Sequence, residues 1–109
     1  MSANILFIET PEQLDALFER SHREPVAIFK HSNSCGISAD VLGQAAAIHG
    51  ELNVVVIQEH RALSNEIAER TVHRHQSPQA FVLRNGKAVY HATHYGIDPT
   101  KIEQFLNNG

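Results

Sequence analysis

The stretch VAIFKHSNSCGIS, residues 26–38, joins an apolar run typical of a buried strand to the start of a helical pattern. It contains Cys35, the only cysteine of the chain. A helix N-terminus carries unpaired backbone N–H groups and the positive end of the helix dipole, and both favour a thiolate over a thiol. The second cysteine of a C-x-x-C motif would stand at position 38, which is Ser38. The stretch therefore predicts a redox-active cysteine that forms mixed disulfides but does not resolve them from its own motif.

The composition around this stretch is that of one globular domain, spanning residues 1–109. Hydrophobic residues make up 42% of the chain and charged residues 19%. The formal net charge is −3 and no cluster of Lys and Arg is present, so we expect no nucleic-acid partner. We also expect no membrane partner, because no apolar run is long enough to span a bilayer. The single cysteine and the lack of a secretory signal pattern favour a cytoplasmic location.

The hydrophobic pattern alternates between strands and helices on both sides of Cys35. Thr10-Pro11-Glu12-Gln13 combines an N-cap, a proline at N1 and a glutamine at N3, which predicts a helix start. Asn85-Gly86 between two apolar runs predicts a β-hairpin. The predicted strands are residues 5–8, 26–30, 52–57, 80–83 and 88–91, and the predicted helices follow Thr10, Cys35, Ser64 and Asp98.

The resulting order is β-α-β-α-β-α-β-β-α. Helical crossovers require parallel strands early in the chain, and the Asn-Gly turn requires an antiparallel pair late in it. This order predicts an α/β, thioredoxin-like three-layer sandwich, whose mixed sheet has a parallel N-terminal part and an antiparallel C-terminal hairpin. In that fold the redox cysteine follows the second strand, and a cis-proline opens the first strand of the late hairpin. Cys35 and Pro78 occupy these two places.

Three segments carry a more specific resemblance: FKHSNSCGIS (residues 29–38), SPQ (77–79) and NGKAVYHATH (85–94). Together they resemble the monothiol bacilliredoxin family of thioredoxin-like proteins, and the likeness covers nearly the whole chain. That family typically carries Thr-Cys-Pro-Ile-Ser, whereas this chain has Ser34 for the threonine and Gly36 for the proline. Because glycine is more flexible than proline, we expect Gly36 to alter the start of the helix, the redox tuning and the fit of substrates.

The resemblance implies an enzyme, a thiol–disulfide oxidoreductase that removes a low-molecular-weight thiol from S-thiolated cytosolic proteins. The small thiol is bacillithiol in that family, and bacillithiol or another small thiol would act as co-substrate, with no bound cofactor. Cys35 would attack the sulfur of the small thiol and release the protein thiol reduced. Reduction of a protein disulfide is disfavoured, because Ser38 has no sulfur with which to resolve the adduct.

Several residues near Cys35 are candidates for tuning the thiolate or binding substrate. Lys30 and a protonated His31 would favour the thiolate through their charge. The Ser38 hydroxyl would either donate to the thiolate or satisfy an N–H group of the first helical turn. A cis Ser77–Pro78 bond, which the resemblance implies, would present the Ser77 backbone to a substrate as an added strand. Ser34 and Gly36 complete the set of candidates by flanking the thiol.

Two other functions remain open at this stage. Cys35-Gly36-Ile37-Ser38 differs by one residue from the Cys-Gly-Phe-Ser of monothiol glutaredoxins, which bind an iron–sulfur cluster and transfer it. The residues before Pro78 and after the hairpin do not match that family. The second alternative is a non-enzymatic domain that senses oxidants by reversible capping of Cys35. The eight histidines of the chain give only weak metal-binding spacings, and we predict no metal site.

Overall fold

The computed structural model describes residues 3–108, with five strands and four α-helices among them. The strands are β1 (Asn4–Phe7), β2 (Val26–His31), β3 (Glu51–Val56), β4 (Gln79–Arg84) and β5 (Lys87–Thr93). The helices are α1 (Pro11–Arg20), α2 (Gly36–Ala45), α3 (Arg61–Thr71) and α4 (Pro99–Asn107), and a short 3-10 turn covers His94–Gly96. Within the described range, no helix is long and apolar enough to cross a lipid bilayer.

The sheet has the strand order β1-β3-β2-β4-β5. β1 and β2 both pair with β3 in parallel, whereas β4 pairs antiparallel with β2 and with β5. The hairpin turn holds Asn85 and Gly86 at positive φ, 54° and 74°, as an Asn-Gly turn requires. The predicted α/β class and the mixed sheet of the thioredoxin-like fold are confirmed.

Alternation along β2 divides the core into two layers. Val26 and Ile28 point to one face of the sheet, where they pack with buried residues of α1 and α3. Ala27 and Phe29 point to the other face, where they pack with α2 and α4. All four of these side chains are buried. Because strand side chains alternate strictly, the neighbour of Phe29, Lys30, belongs to the face of α1 and α3.

The start of α3 differs from the sequence prediction. The helix begins at Arg61 with His60 as its N-cap, so the prediction that Ser64 caps it is wrong. Ser64 lies one turn inside the helix and is buried. Its hydroxyl lies 3.0 Å from His75 Nδ1, a contact made across the fold. His60 makes no side-chain capping bond, which explains why the sequence holds no signal for the true start.

Candidate functional site

Cys35 lies at the junction of β2 and α2, as the N-cap of the helix. Its backbone is extended (φ −116°, ψ 119°), and its carbonyl accepts the first helical bond from Ala39 N–H at 3.1 Å. The side chain is half-buried and does not cap the helix. The first N–H groups of α2 thus receive no capping hydrogen bond from the Cys35 side chain. Their dipoles favour negative charge on the nearby sulfur.

The cis Ser77–Pro78 bond lies at the same edge of the sheet as Cys35. β2 and β4 are antiparallel, so the end of β2, which leads to Cys35, is next to the start of β4, which follows Pro78. The Pro78 carbonyl accepts a hydrogen bond from His94 N–H at 2.9 Å, which ties the loop to the 3-10 turn. Pro78 is buried and Ser77 is half-buried. Within residues 3–108 the Ser77 hydroxyl is buried without a hydrogen-bond partner.

The Ser38 hydroxyl connects β2 to α2. Its oxygen accepts a hydrogen bond from Ser32 N–H at 3.0 Å and lies 2.8 Å from His31 Nδ1. Burial lowers the pKa of His31, so the ring is neutral at neutral pH. The Ser38 oxygen has two lone pairs, so beside Ser32 N–H it can either donate its proton to Nδ1 or accept one from it, according to the tautomer of His31. The structure thus places the Ser38 hydroxyl in contact with Ser32 N–H and His31, and not with an N–H group of its own helical turn, while burial of His31 disfavours the cation that was expected to favour the thiolate.

Lys30 does not take the role predicted for it. Its side chain is fully buried on the face of α1 and α3, opposite the face on which α2 packs. The ammonium donates to the Ser64 carbonyl at 2.8 Å and lies 3.3 Å from His75 Nδ1. Burial lowers the pKa of Lys30 to about 8. The prediction that its charge favours the Cys35 thiolate by direct approach is therefore corrected, since the side chain extends from the other side of the sheet.

The loop before Cys35 is held by a residue that the sequence did not reveal. Gln58, in the turn between β3 and α3, donates to the hydroxyls of Ser32 and Ser34 at 2.6 and 3.0 Å. Its carbonyl oxygen accepts from Asn33 N–H at 3.1 Å. Ser34, predicted to tune the site, thus meets Gln58 beside Cys35. The partners are at least 24 residues apart in sequence, so no local pattern could have indicated them.

Tyr95, in the 3-10 turn, is a second residue that sequence reasoning missed. The turn packs against α2, and the Tyr95 side chain is 63% exposed. Local desolvation raises the pKa of the phenol, and the negative charges of Asp40 and the Cys35 thiolate raise it further. Tyr95 therefore presents an exposed aromatic ring near the thiol, where a bound substrate would meet it.

Gly36 is the first residue of α2 and has open space around it. A Cβ placed there would meet no atom within 4 Å. Its φ is not among the positive values, so the backbone does not require glycine. Gly36 thus places no side chain of its own over the entrance beside Cys35, where there is room for one.

The histidines form contacts other than metal sites. His73 stacks on His91 with ring centroids 3.8 Å apart, although the two are distant in sequence. Across residues 3–108, no three His, Cys, Asp or Glu side chains are grouped so that they could hold a metal ion.

A single cysteine at a strand–helix junction, facing a cis-proline across the sheet edge, places the chain among the thioredoxin-like thiol–disulfide oxidoreductases. The sequence then identifies one family within this class. Residues 7–102 match the family model described as the monothiol bacilliredoxin BrxC, and the chain belongs to that family. The resemblance read from the sequence is thereby confirmed, together with a thiol redox function.

Solved structures support the same fold. One whose description assigns it a thioredoxin fold is 28% identical, with a TM-score of 0.82, and the match covers 92% of this chain and 91% of that one. Thioredoxin from Malassezia sympodialis is 14% identical, with a TM-score of 0.70 and coverages of 99% and 91%. A mutant thioredoxin from Halobacterium salinarum is 13% identical, with a TM-score of 0.69 and coverages of 99% and 94%. At these identities the two thioredoxins are similar to this chain in fold alone.

Proposed function

We propose that this protein removes bacillithiol from S-bacillithiolated cytosolic proteins through a mixed disulfide on Cys35. The observation that carries the proposal is the pairing of a half-buried thiol at the start of α2 with a serine in place of a second cysteine. The serine hydroxyl is held by Ser32 and His31. Membership of the monothiol bacilliredoxin family supports the choice of small thiol.

The chemistry is one thiol–disulfide exchange. The Cys35 thiolate attacks the bacillithiol sulfur of the mixed disulfide, and the bond between that sulfur and the protein sulfur breaks. A new disulfide joins Cys35 to bacillithiol, and the protein leaves as a thiolate that takes up a proton. A second small thiol then attacks the Cys35 adduct and releases it as a small disulfide. No net oxidation occurs in the first step, because one disulfide replaces another.

The surroundings of Cys35 suit a small adduct. The sulfur has the dipole of α2 on one side and the cis-proline loop on the other. The side chain of residue 36 is absent and that of Tyr95 is exposed, so a small molecule attached to the sulfur has open space beside it. Substrate backbone would pair with Ser77 in the manner of an added strand. Ser34 and Gly36 would contact the adduct from the cysteine side.

The proposal is tested by incubating the reduced protein with an S-bacillithiolated protein and following both by intact mass spectrometry. We expect the adduct to leave the substrate and to appear on Cys35 in equal amount. Cys35→Ser should abolish the transfer while its circular dichroism spectrum stays that of the parent. Ala47→Ser serves as a matched control, since it introduces the same side chain at an exposed position after α2 and keeps the thiol.

The outcome that contradicts the proposal is a Cys35 that reacts with iodoacetamide but takes up no bacillithiol. A protein that takes up the adduct once and is not turned over by added bacillithiol would instead be a redox sensor. The iron–sulfur alternative predicts a coloured protein after anaerobic incubation with iron and sulfide, with the colour lost in Cys35→Ser.

A further inference from the structure

A polar cavity lies beside the loop that leads to Cys35. It has a volume of about 110 Å³ and is lined by Ile57, Arg61, Ser64, Asn65 and His75. A water molecule occupies about 30 Å³ in the liquid, so the cavity has room for a carboxylate group with its adjoining carbon atoms. None of the five lining residues is acidic. The cavity is therefore a small space whose walls carry positive charge and hydrogen-bond donors.

The hydrogen bonds behind the cavity fix the orientation of His75. Its Nδ1 lies 3.3 Å from the Lys30 ammonium and 3.0 Å from the Ser64 hydroxyl. An ammonium has no lone pair, so Nδ1 is the acceptor and the proton of the neutral ring is on Nε2. Desolvation and the charges of Lys30 and Arg61 lower the pKa of His75, which keeps the ring neutral at neutral pH. His75 thus offers an N–H donor on the side of the ring away from Lys30.

Arg61 supplies the exposed charge of this cavity. Within residues 3–108 its guanidinium makes no ion pair, whereas Arg20 and Arg70 are both paired with carboxylates. The Lys30 ammonium, fully buried behind Ser64 and His75, adds a second positive charge. One cation, Arg61, and two uncharged donors, His75 and the Asn65 amide, line this small space, and the Lys30 ammonium lies behind Ser64 and His75. Such a set is complementary to a planar anion, and Arg in particular binds a carboxylate with two parallel hydrogen bonds.

The cavity is joined to the Cys35 loop by direct contacts. Ile57 N–H donates to the His31 carbonyl at 2.9 Å, and Gln58 bonds to Asn33 and Ser34. Ile57 is itself a wall of the cavity. His75 approaches from the other side, three residues before Pro78. The cavity therefore lies between the two loops that frame the thiol.

We propose that this cavity, formed by Arg61, His75 and Asn65 in front of Lys30, binds a carboxylate of the small thiol that Cys35 exchanges. The proposal rests on the proposed function, because it assigns a specificity site to the same reaction. The carboxylate would take two hydrogen bonds from Arg61 and one from His75 Nε2. The sulfur end of the molecule would remain at Cys35.

The test compares two small disulfides that differ only in their carboxylates. Glutathione disulfide and the disulfide of glutathione dimethyl ester are each reacted with the reduced protein, and the rate of adduct formation on Cys35 is measured by mass spectrometry. We expect Arg61→Gln to lower the ratio of the first rate to the second about tenfold, the effect of losing one charge-assisted contact. Arg61→Lys should restore part of the ratio. The matched control, Arg23→Gln, removes an exposed charge beyond the opposite end of β2 and should leave the ratio unchanged.

A second measurement detects the binding of a carboxylate in the cavity directly. Addition of succinate should shift the His75 ring signals in the NMR spectrum of the parent protein with saturation, and Arg61→Gln should abolish the shift. Equal rate ratios in Arg61→Gln and Arg23→Gln would overturn the proposal, even if succinate binds, because the cavity would then not serve the reaction. The proposed function, by contrast, fails only if Cys35 reacts with iodoacetamide but takes up no bacillithiol from an S-bacillithiolated protein. A protein that takes up bacillithiol and still shows equal rate ratios in Arg61→Gln and Arg23→Gln overturns the carboxylate site alone.

Discussion

Replacing Ser38 by cysteine should convert a site that holds a small-thiol adduct into one that discharges it. Ser38 lies three residues after Cys35, at the N-terminus of α2, which is the spacing of a C-x-x-C motif. A thiol introduced there could attack the Cys35 sulfur of the adduct and release the small thiol. The product would be a disulfide between the two cysteines, formed with the loss of two hydrogens.

The substitution also has a structural cost that can be worked out from the contacts of Ser38. The residue is 0% exposed, and its oxygen serves both Ser32 N–H and His31 Nδ1. Sulfur is a weak acceptor, so the buried Ser32 N–H loses its partner, and we expect the reduced variant to lose about 2 kcal/mol of unfolding free energy. That loss corresponds to a fall in Tm of about 10 °C for a domain of this size.

The assay is reaction with an S-bacillithiolated protein, followed by intact mass spectrometry and by thermal unfolding of the reduced forms. The parent should accumulate the adduct, whereas Ser38→Cys should show the two-hydrogen loss in its place. Ser38→Ala should match Ser38→Cys in stability and the parent in adduct formation. Ala47→Cys adds a thiol at an exposed position after α2 and should keep the adduct. An adduct that persists on Ser38→Cys at the level of the parent, or a Ser38→Ala as stable as the parent, would refute this reasoning.

Three further predictions concern stability. Gly36→Pro should raise the unfolding free energy, measured by urea denaturation, by about 1 kcal/mol. Position N1 of a helix accepts proline, and Cys35 already has the extended backbone that a following proline requires. A lower unfolding free energy in the variant would contradict this prediction. Desolvation, with nearby positive charge, lowers the pKa values of His75 and His91 below the ordinary 6.5, so the unfolded chain takes up protons first. The unfolding free energy should therefore fall as the pH drops below about 6.5, and the variant with glutamine in place of both histidines should show a shallower fall. Equal slopes of unfolding free energy against pH in the two proteins would contradict this prediction. Ser77→Ala should leave stability unchanged or raise it by up to about 1 kcal/mol in thermal unfolding, since its buried hydroxyl has no partner in the described part of the chain; a clear loss would reveal a hidden bond.

The fold could be predicted from the sequence because each of its signals is local. The capping box of Thr10 and Gln13 is present as expected, with the Thr10 hydroxyl accepting from Gln13 N–H at 3.1 Å. Asp98 caps α4 by accepting from Thr100 N–H. The Asn85-Gly86 turn joins β4 to β5. Each of these features depends on residues within four positions of one another, so the order of elements follows from the sequence without knowledge of the tertiary structure.

The errors arose where a partner is distant in sequence. Lys30 is five residues before Cys35, and sequence distance alone suggested that its charge reaches the thiol. The side chain instead follows the alternation of β2 and meets Ser64 and His75 on the opposite face. The sequence shows that Lys30 lies on the same face of β2 as Val26 and Ile28. It does not show which helices cover that face of the sheet. Ser64 was misplaced for the same reason, since its hydroxyl serves His75 and not a helix end.

The contacts of Ser38 show that this one-thiol site has its own hydrogen-bond network and is more than a two-thiol site that lacks one cysteine. A serine that merely replaces a second cysteine would need no hydrogen-bond partners outside its own helix. The Ser38 hydroxyl instead accepts from Ser32 and pairs with His31, so it joins the end of β2 to the first turn of α2. Gln58 holds the intervening loop through Ser32 and Ser34, from the opposite side. Because the connection through residue 38 needs an oxygen atom, a cysteine there would gain intramolecular resolution only by weakening the loop that carries Cys35. The serine keeps this loop in place and leaves exchange through one sulfur.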